Sequence, residues 1–394
     1  MLLFGGFAAK KQQKKLFGEG KALPEPLPFE ILYTAMTNPI LLTVSGVIPT
    51  ERAALTASGQ RPRADYYVLA EVLGADLLDV QAARQATGWL GRLIERLTGQ
   101  HFMLAWATFR LRRRYRLIFT DGEQIGMPLA ILLKYVAWFQ RPPPRHMMIV
   151  HILSVPKKRV VLDLLKIQSH IDTFLVYASA QKRFIEQRWG VPDERVVLTP
   201  FMVDACFFRA DAVPRRPRER PMICAVGLER RDYPTLLRAV EGLPVDVVIA
   251  AASPWSRRAD STSGQTLPAN VTVQKFNQHE LRQLYADAEF LVMPLAPVDF
   301  QAGVTAILEA LAMERPVICS RISGQTDVIV EGEHGLYVPP GDVAALRAAI
   351  EGLLANHEQR RQMGRNGRRL IEQQMSLDVY AAGLARAAQR LLGR

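Results

Sequence analysis

The sequence predicts an α/β protein with two doubly wound domains, each a parallel sheet covered by helices. Short apolar strand patterns alternate with helix patterns along most of the 394 residues, as parallel sheets require. The strand patterns are continuously apolar, which is typical of strands buried on both faces. A charged segment with two prolines, residues 209–220, acts as a linker between two halves of ordinary domain size.

The first half contains an arm and an N-terminal domain. The arm, residues 1–28, is basic and then proline-rich, and we expect it to be poorly ordered or to lie on the surface. The N-terminal domain covers residues 29–208. Its predicted strands begin at residue 40 and continue at 66–71, 77–80, 115–120, 146–150, 174–177 and 196–199. Its predicted helices cover 81–109 with a break near Gly99, 127–139 and 180–189.

The second half repeats the same alternation. We predict a C-terminal domain over residues 221–375, followed by a terminal helical segment over residues 376–394. The predicted strands of this domain are 222–226, 245–250, 271–273, 290–293, 317–319 and 335–338. Ligands usually bind outside the carboxyl ends of such strands, so we expect a cleft where the two domains meet.

Composition narrows the class of protein. Hydrophobic residues make up 49% and charged residues 22% of the chain, which is typical of a globular protein. Three scattered cysteines argue against a disulfide framework and favour the cytoplasm. No apolar run reaches the ~18 residues of a membrane span, and the first residues lack the pattern of a signal peptide.

The formal net charge of +12 predicts a polyanionic partner. Charge alone does not choose among nucleic acid, anionic lipid headgroups and phosphorylated substrates. No motif of a nucleic-acid-binding fold accompanies the charge, so we do not expect nucleic acid to be the partner.

The segment 291–320 carries the most specific functional signal. An apolar strand is followed by a loop, by Gly303, Val304 and Thr305, and by a helix that contains Glu309. Free backbone N–H groups and the positive end of the helix dipole form an anion site at such a turn. A carboxylate two turns along can accept hydrogen bonds from sugar hydroxyls. This arrangement suits a nucleoside diphosphate with its ribose.

The same segment resembles the nucleotide-sugar site of the retaining glycosyltransferases of family 4. Their signature has two Glu residues in a strand–loop–helix, and here Glu309 takes the second position and Gln301 the first. The exchange to Gln keeps a hydrogen-bonding group and removes a charge. The resemblance implies the GT-B fold, in which two Rossmann-like domains face a central cleft and the C-terminal helix packs back on the N-terminal domain. It covers residues 222–367 well and residues 40–208 more thinly.

The resemblance also implies which residues bind the donor. Arg231 takes the place of a basic residue that contacts the diphosphate, although a solvated charge or a pair with Glu229 would also explain it. Glu309 would hold the ribose, and Phe276 lies where the family seats the base. The full predicted donor site is Gly227, Arg231, Phe276, Gly303, Val304, Thr305 and Glu309.

The family places a histidine at the end of a strand of the first domain, near the donor sugar. His151 ends the predicted strand 146–150 and would position the sugar together with Gln301. The predicted catalytic residues are therefore His151, Arg231, Gln301 and Glu309.

Three residues are candidates for the acceptor side of the cleft. Gly46 follows the first strand, and Gly122 and Glu123 follow the strand 115–120. Glu123 can accept hydrogen bonds from an acceptor, and Gly122 allows close approach of the backbone. An equally good alternative is that Asp121 simply caps the next helix.

The segment 89–116 combines large apolar residues with a dense basic cluster, and its candidate membrane residues are Trp106, Arg110, Arg112, Arg113 and Arg114. Such a segment suits an anionic lipid surface, where each cation contributes ~1 kcal/mol. An amphipathic helix with a solvated basic end explains it equally well. The lysines of the N-terminal arm would be a second membrane signal.

The sequence thus predicts retaining transfer of a hexose from a nucleoside diphosphate sugar, with UDP ranked above GDP and ADP, to an unidentified acceptor. The family resemblance implies that no metal or other cofactor is needed, because Arg and backbone dipoles stabilise the leaving group. The alternatives are a catalytically silent nucleotide-sugar binding or scaffold protein and a nucleotide-sugar epimerase. We expect a cytoplasmic protein, with the inner face of the membrane as a peripheral location.

Overall fold

Two parallel sheets of six strands each form the framework of the protein within its described residues. The structure is a computed structural model that describes residues 39–137, 143–251, 266–298 and 300–393. The predicted arm at residues 1–28 lies outside them. Both sheets belong to the same compact unit.

The N-terminal sheet is built from short, almost fully buried strands. They are β1 (Ile40–Thr43), β2 (Ala75–Leu78), β3 (Leu117–Thr120), β4 (Arg145–Val150), β5 (Thr173–Val176) and β6 (Val196–Leu198). The strand order is β2-β1-β3-β4-β5-β6. The order therefore reverses between β1 and β3, which marks the place where ligands bind in open α/β sheets.

Helices connect these strands across both faces of the sheet. They are α1 (Arg52–Ala57), α2 (Asp65–Leu73), α3 (Val80–Thr98), α4 (Gln100–Leu111), α5 (Glu123–Tyr135), α6 (Pro156–Leu165) and α7 (Ser179–Trp189). The predicted break near Gly99 is confirmed, since Gly99 separates α3 from α4. A second break occurs inside α3 at Gly88, where φ is 62° and ψ is −140°.

The prediction of a strand at residues 66–71 is wrong, because these residues belong to α2. Tyr and Val favour strands in isolation, but tertiary packing decides here. The helix brings Tyr66, Leu69 and Leu73, spaced by three and four residues, onto one face against the N-terminal core. Gly74 then ends the helix in the left-handed conformation, with φ of 56°.

The C-terminal sheet repeats the parallel arrangement. Its strands are β7 (Met222–Val226), β8 (Asp246–Ala250), β9 (Val271–Gln274), β10 (Leu291–Met293), β11 (Val317–Ser320) and β12 (Gly335–Val338). Its helices are α8 (Tyr233–Val240), α9 (Gln278–Asp287), α10 (Val304–Ala312), α11 (Val343–Ala355) and α12 (His357–Leu370). The order β12-β11-β10-β7-β8-β9 reverses between β7 and β10.

The last helix, α13 (Leu377–Leu392), returns to the N-terminal sheet, as expected. Its residues Leu377, Tyr380 and Leu384 are buried in the same cluster as strand residues of β1, β3, β4 and β5. The hydroxyl groups of Tyr380 and Tyr177 are hydrogen-bonded at 2.9 Å in this interface. The chain therefore crosses twice between the domains, before β7 and before α13.

Arg63 ties these crossings to the N-terminal domain. Its Nε donates to Oδ1 of Asp204 at 3.0 Å, and its Nη1 donates to Oδ1 of Asp378 at 2.9 Å. The Asp204 side chain is 3% exposed, so removal of the cation would leave a buried carboxylate without its charge partner.

We therefore expect Arg63→Ala to lower the free energy of unfolding by about 2 kcal/mol. Urea unfolding at neutral pH measures this change. Arg61→Ala is the matched control, because Arg61 forms no ion pair with a described residue. Equal effects of the two substitutions would contradict a specific role for the Arg63 contacts.

Candidate active site

Two loops meet at the carboxyl edge of the C-terminal sheet, where its strand order reverses. One follows β7 and the other follows β10. The main chain joins them, because Ala296 N donates to Arg230 O at 2.9 Å and Asp232 N donates to Pro294 O at 3.0 Å. A crevice at such a reversal is the usual ligand site of a doubly wound sheet.

Arg231 lies at this junction and is fixed by the main chain. Its Nε donates to Val226 O at 2.8 Å and its Nη1 donates to Glu229 O at 2.6 Å. The residue is 9% exposed, so the interpretation as a solvated helix-start charge is wrong. The two bonds hold the guanidinium in one orientation.

Two glycines make room for this guanidinium. Gly227, with φ of +99°, and Gly303, with φ of +80°, come from the two different loops. A Cβ atom at Gly227 would lie 2.5 Å from Nη2 of Arg231, and one at Gly303 would lie 3.2 Å from the same atom. The structure thus brings these three residues of the predicted donor site together.

Helix α10 begins beside Arg231. Gly303 is its N-cap residue, and no side chain caps its first turn. Val304 is buried and Thr305 is exposed. An uncapped helix start next to a guanidinium combines two features that favour an anion.

Gln301 lies three residues before this helix and is half-buried. Its Oε1 is buried and has no hydrogen-bond partner among the described residues. A buried amide oxygen without a partner is costly unless a ligand or water donates to it.

Glu309 is buried on α10 and accepts a hydrogen bond from the Tyr285 hydroxyl at 2.9 Å. Burial raises the pKa of its carboxyl to about 7, although the Tyr285 hydrogen bond favours the charged form. Burial and the Glu309 carboxylate raise the pKa of Tyr285, and Arg231 lowers it. Tyr285 is therefore within electrostatic reach of both Arg231 and Glu309. Sequence reasoning missed Tyr285, because α9 carries no motif.

Phe276 lies at the carboxyl end of β9, two strands from β7. It is half-buried and packs against the C-terminal core. Asn277, the next residue, caps α9 through a reciprocal capping box with Glu280. The capping box thus fixes the main chain that directly follows Phe276.

The structure corrects the role predicted for Glu123. Its carboxylate is 2% exposed and accepts from Lys158 Nζ at 2.5 Å, His151 N at 2.9 Å and Ile152 N at 3.2 Å. Burial would raise the pKa of Glu123, but Lys158 and His151 hold it below its ordinary value. Glu123 therefore positions the His151 loop and has no free face for an acceptor. Lys158 was missed, because its pairing joins the starts of two separate helices, α5 and α6.

His151 follows β4 and is exposed. Its ring lies 5.7 Å from that of Tyr177, measured between centroids. Its main-chain oxygen accepts a hydrogen bond from Gln181 Nε2. The main chain of His151 is therefore held from two directions, while its imidazole remains accessible.

Asp121 does not cap α5, so that alternative is wrong. The N-cap residue is Gly122, with φ of +128°, and no side chain caps this helix. Burial and the nearby Asp65 and Glu123 carboxylates raise the pKa of Asp121 well above its ordinary value. Gly46 is exposed after β1, and its oxygen accepts from Val80 N at 3.1 Å.

One contact joins the two domains across the carboxyl edges of their sheets. Ser179 N and Oγ donate to the Asp327 carboxylate at 2.9 Å and 2.8 Å. Ser179 begins α7 of the N-terminal domain, and Asp327 lies in the loop after β11. The two cleft edges are thus in direct contact.

The predicted basic surface needs one correction. Arg112 is 8% exposed, its guanidinium lies 3.8 Å from the centroid of the Phe109 ring, and it donates to Phe109 O at 2.7 Å. It cannot contact a lipid surface from this position. Arg110 and Arg113 are exposed, Arg114 is half-exposed, and Trp106 is half-buried against Phe109.

Two kinds of feature are absent from the part of the chain that the structure describes. The described residues contain no helix with the length and hydropathy of a membrane span. They also contain no group of three or more His, Cys, Asp or Glu side chains arranged to hold a metal ion.

Comparison with known proteins relates the second domain to glycosyltransferases. Residues 222–356 match the family model described as glycosyl transferases group 1. The alpha-D-kanosaminyltransferase of Streptomyces kanamyceticus is 27% identical over 212 residues, which are 50% of this chain and 54% of that protein. The chain thus spans about half the length of this curated relative.

Solved structures resemble the chain over both domains. Sucrose-phosphate synthase from Thermosynechococcus elongatus superposes with a TM-score of 0.65 at 17% identity, over 90% of this chain and 99% of that one. Anabaena HepE, solved in complex with UDP, gives a TM-score of 0.62 at 13% identity, over 89% and 99%. The chain therefore has the two-domain, Rossmann-like GT-B fold that the resemblance implied.

Proposed function

We propose that the protein is a glycosyltransferase that transfers a hexose from a nucleoside diphosphate sugar to an acceptor, with retention of configuration. The observation that carries this proposal is the placement of the Arg231 guanidinium between Gly227 and Gly303, at the start of the helix that contains Glu309. The match of residues 222–356 to glycosyl transferases group 1 supports it.

The residues divide the work of binding the donor. Arg231 and the first amides of α10 hold the diphosphate and offset the charge of the leaving group. Glu309 holds the ribose, and Phe276 contacts the base. These groups supply the charge stabilisation for which other transferases use a metal.

Gln301 and His151 position the hexose from the two sides of the cleft. Retention follows in this scheme when the acceptor attacks from the face that the nucleotide leaves. The leaving phosphate then takes the acceptor proton, so no side-chain base is required.

UDP is the proposed nucleotide, and the UDP complex of Anabaena HepE supports this choice. Any ligand that binds only the folded protein raises its stability, by ~2.7 kcal/mol at one hundred times its Kd. We therefore expect UDP at about 1–5 mM to raise the Tm of the protein by several degrees, and GDP or ADP at the same concentration to raise it less. The absence of a shift with all three nucleotides and their sugars would overturn the proposed donor site.

A catalytically silent binding protein is the second candidate, and Gln301 at the position of the family's first Glu favours it. Both candidates bind the donor, but only a transferase releases UDP from a UDP-sugar when an acceptor is present. UDP release in the presence of membrane extracts of defined lipid composition distinguishes them.

The acceptor that we propose is lipid-linked or lies at a membrane surface, on the cytoplasmic side. The exposed Arg110 and Arg113 of the N-terminal domain support this location, because anionic headgroups attract surface cations.

A further inference from the structure

The N-terminal domain exposes a row of large apolar side chains. Trp89, Leu93 and Leu97 of α3 are 72%, 45% and 74% exposed, and Phe102 of α4 is 49% exposed. Residues spaced by four lie on the same face of a helix, so the first three form one stripe. We refer to these four residues as the apolar ridge. Contiguous exposed apolar surface of this kind is uncommon outside interaction sites.

The bend of α3 positions the ridge. The chain turns at Gly88, and Arg84 and Glu95 then form a bidentate ion pair, with Nε to Oε2 at 2.8 Å. Thr87 and Gly91 face inward and are buried. The ridge therefore points away from the core, and the ion pair bridges the two arms of the bent helix.

The same face of the sheet carries further exposed apolar residues. Adjacent residues of one strand point to opposite faces, so Ile118 and Met148 lie on the side of α3 to α7, while Phe119 and Met147 lie on the side of α2 and α13. Helix α6 lies on the first side and exposes Val160 and Leu164, at 53% and 75%. Exposed apolar surface is thus concentrated on one side of the domain.

The charge around the ridge has a single sign. Residues 81–116 contain eight arginines and one acidic residue, Glu95, which is paired with Arg84. Arg92 and Arg96 are exposed beside the ridge, and Arg110 and Arg113 are exposed further along. A second copy of the chain would bring arginine against arginine in a two-fold contact, which opposes self-association.

Both ends of α3 lie next to the acceptor side of the cleft. Val80 N donates to Gly46 O at 3.1 Å at its start, and Gln100 Nε2 donates to Ser45 O at 3.4 Å just after its end. Ser45 and Gly46 follow β1 at the carboxyl edge of the sheet. A surface that receives the ridge therefore also lies near the entrance for an acceptor.

We propose that the apolar ridge docks on an anionic lipid bilayer, with its side chains in the headgroup boundary and Arg92 and Arg96 on anionic headgroups. Helices that carry Trp and Leu on one face and Arg beside them bind in this way. The inference that the bilayer presents the acceptor rests on the proposed transferase function, whereas lipid binding itself does not.

Co-sedimentation of the whole chain with vesicles tests the proposal. We expect binding to vesicles of one part phosphatidylglycerol to three parts phosphatidylcholine, weaker binding at high salt, and little binding to phosphatidylcholine alone. The variant Trp89→Ser/Leu93→Gln/Leu97→Gln should bind at least ~10-fold more weakly. Arg92→Gln/Arg96→Gln should bind anionic vesicles more weakly and less salt-dependently, and it serves as a second test if the first variant fails to fold.

The matched control is Val72→Gln/Val330→Gln, which removes two equally exposed valines from other surfaces, at 47% and 50%. Control and wild type should bind vesicles alike. Unchanged binding of both ridge variants, absent binding of the wild type, or a ridge variant that dissociates a dimer would each overturn the proposal. Stabilisation by UDP reports on the donor site independently of vesicle binding, so the ridge variants should still be stabilised by UDP.

Discussion

Replacing Arg231 with alanine is expected to lower donor turnover by about 10²–10³-fold, the usual loss when a fixed transition-state donor is removed. The guanidinium is oriented by Val226 O and Glu229 O before a ligand binds. Under the proposed function it therefore needs no reorganisation to meet the charge that develops on the diphosphate. Initial rates of UDP release from UDP-sugar, with nucleotide affinity by calorimetry, measure the effect.

Two control variants distinguish a loss of catalysis from a loss of folding. Arg238→Ala removes an exposed arginine of α8 and should leave turnover within about 2-fold of wild type. Arg231→Lys keeps the charge but not the planar fork, so it should recover only part of the rate. If Arg231→Ala keeps full turnover while its unfolding temperature falls, Arg231 braces the loop and does not bind the donor.

Glu309→Gln is expected to remove the part of the unfolding free energy that depends on the titration of Glu309, and to weaken nucleotide binding. The pKa of Glu309 is about 7 in the folded protein against an ordinary value of 4.5. Between these values the folded state keeps a proton that the unfolded state releases. Wild-type stability should therefore fall by up to about 3 kcal/mol as the pH rises from 5 to 8. The amide variant should lack this fall.

Urea unfolding of both proteins at pH 5 and pH 8 measures the difference, and other titrating groups cancel in the comparison. Tyr285→Phe provides a control of opposite sign. Loss of the Tyr285 hydroxyl removes the hydrogen bond that favours the charged form of Glu309. The fall in stability with rising pH should therefore be steeper in this variant than in the wild type. A wild type and an amide variant with identical pH dependence would contradict the raised pKa of Glu309 in the folded protein.

Strand and helix alternation was readable from the sequence because buried parallel strands need continuous apolar runs, as in β3 and β7. The path of α3 was not readable, because it bends at Gly88, where φ is 62°, and a glycine inside a helical pattern does not by itself show whether the helix continues straight. The helix at residues 66–71, which was wrongly predicted as a strand, depends on parts of the chain that are distant in sequence. Packing against α13, which comes from the other end of the chain, made these residues helical.

In the candidate site, too, residues within one local motif could be predicted, whereas contacts between separate segments could not. Gly303 and Glu309 stand in one continuous motif, and Gly227 and Arg231 in another, so the resemblance of each motif to a known family was enough to select them. The pairing of Glu123 with Lys158 and that of Glu309 with Tyr285 each join separate segments. Neither partner carries a local signal. The burial of Arg112 could not be foreseen either, since an arginine run gives no indication of which member turns inward.

The contact between Ser179 and Asp327 supplies helix α7 with an N-terminal cap that its own residues do not provide. Ala178 occupies the N-cap position of α7 and has no side chain that could accept a hydrogen bond. The carboxylate of Asp327 serves as the cap instead, from the opposite domain. Separating the domains at this point leaves the first amide of α7 without its acceptor, at a cost of about 1 kcal/mol. The contact between the two domains thus includes the energy of a helix cap, at a residue outside the proposed donor site.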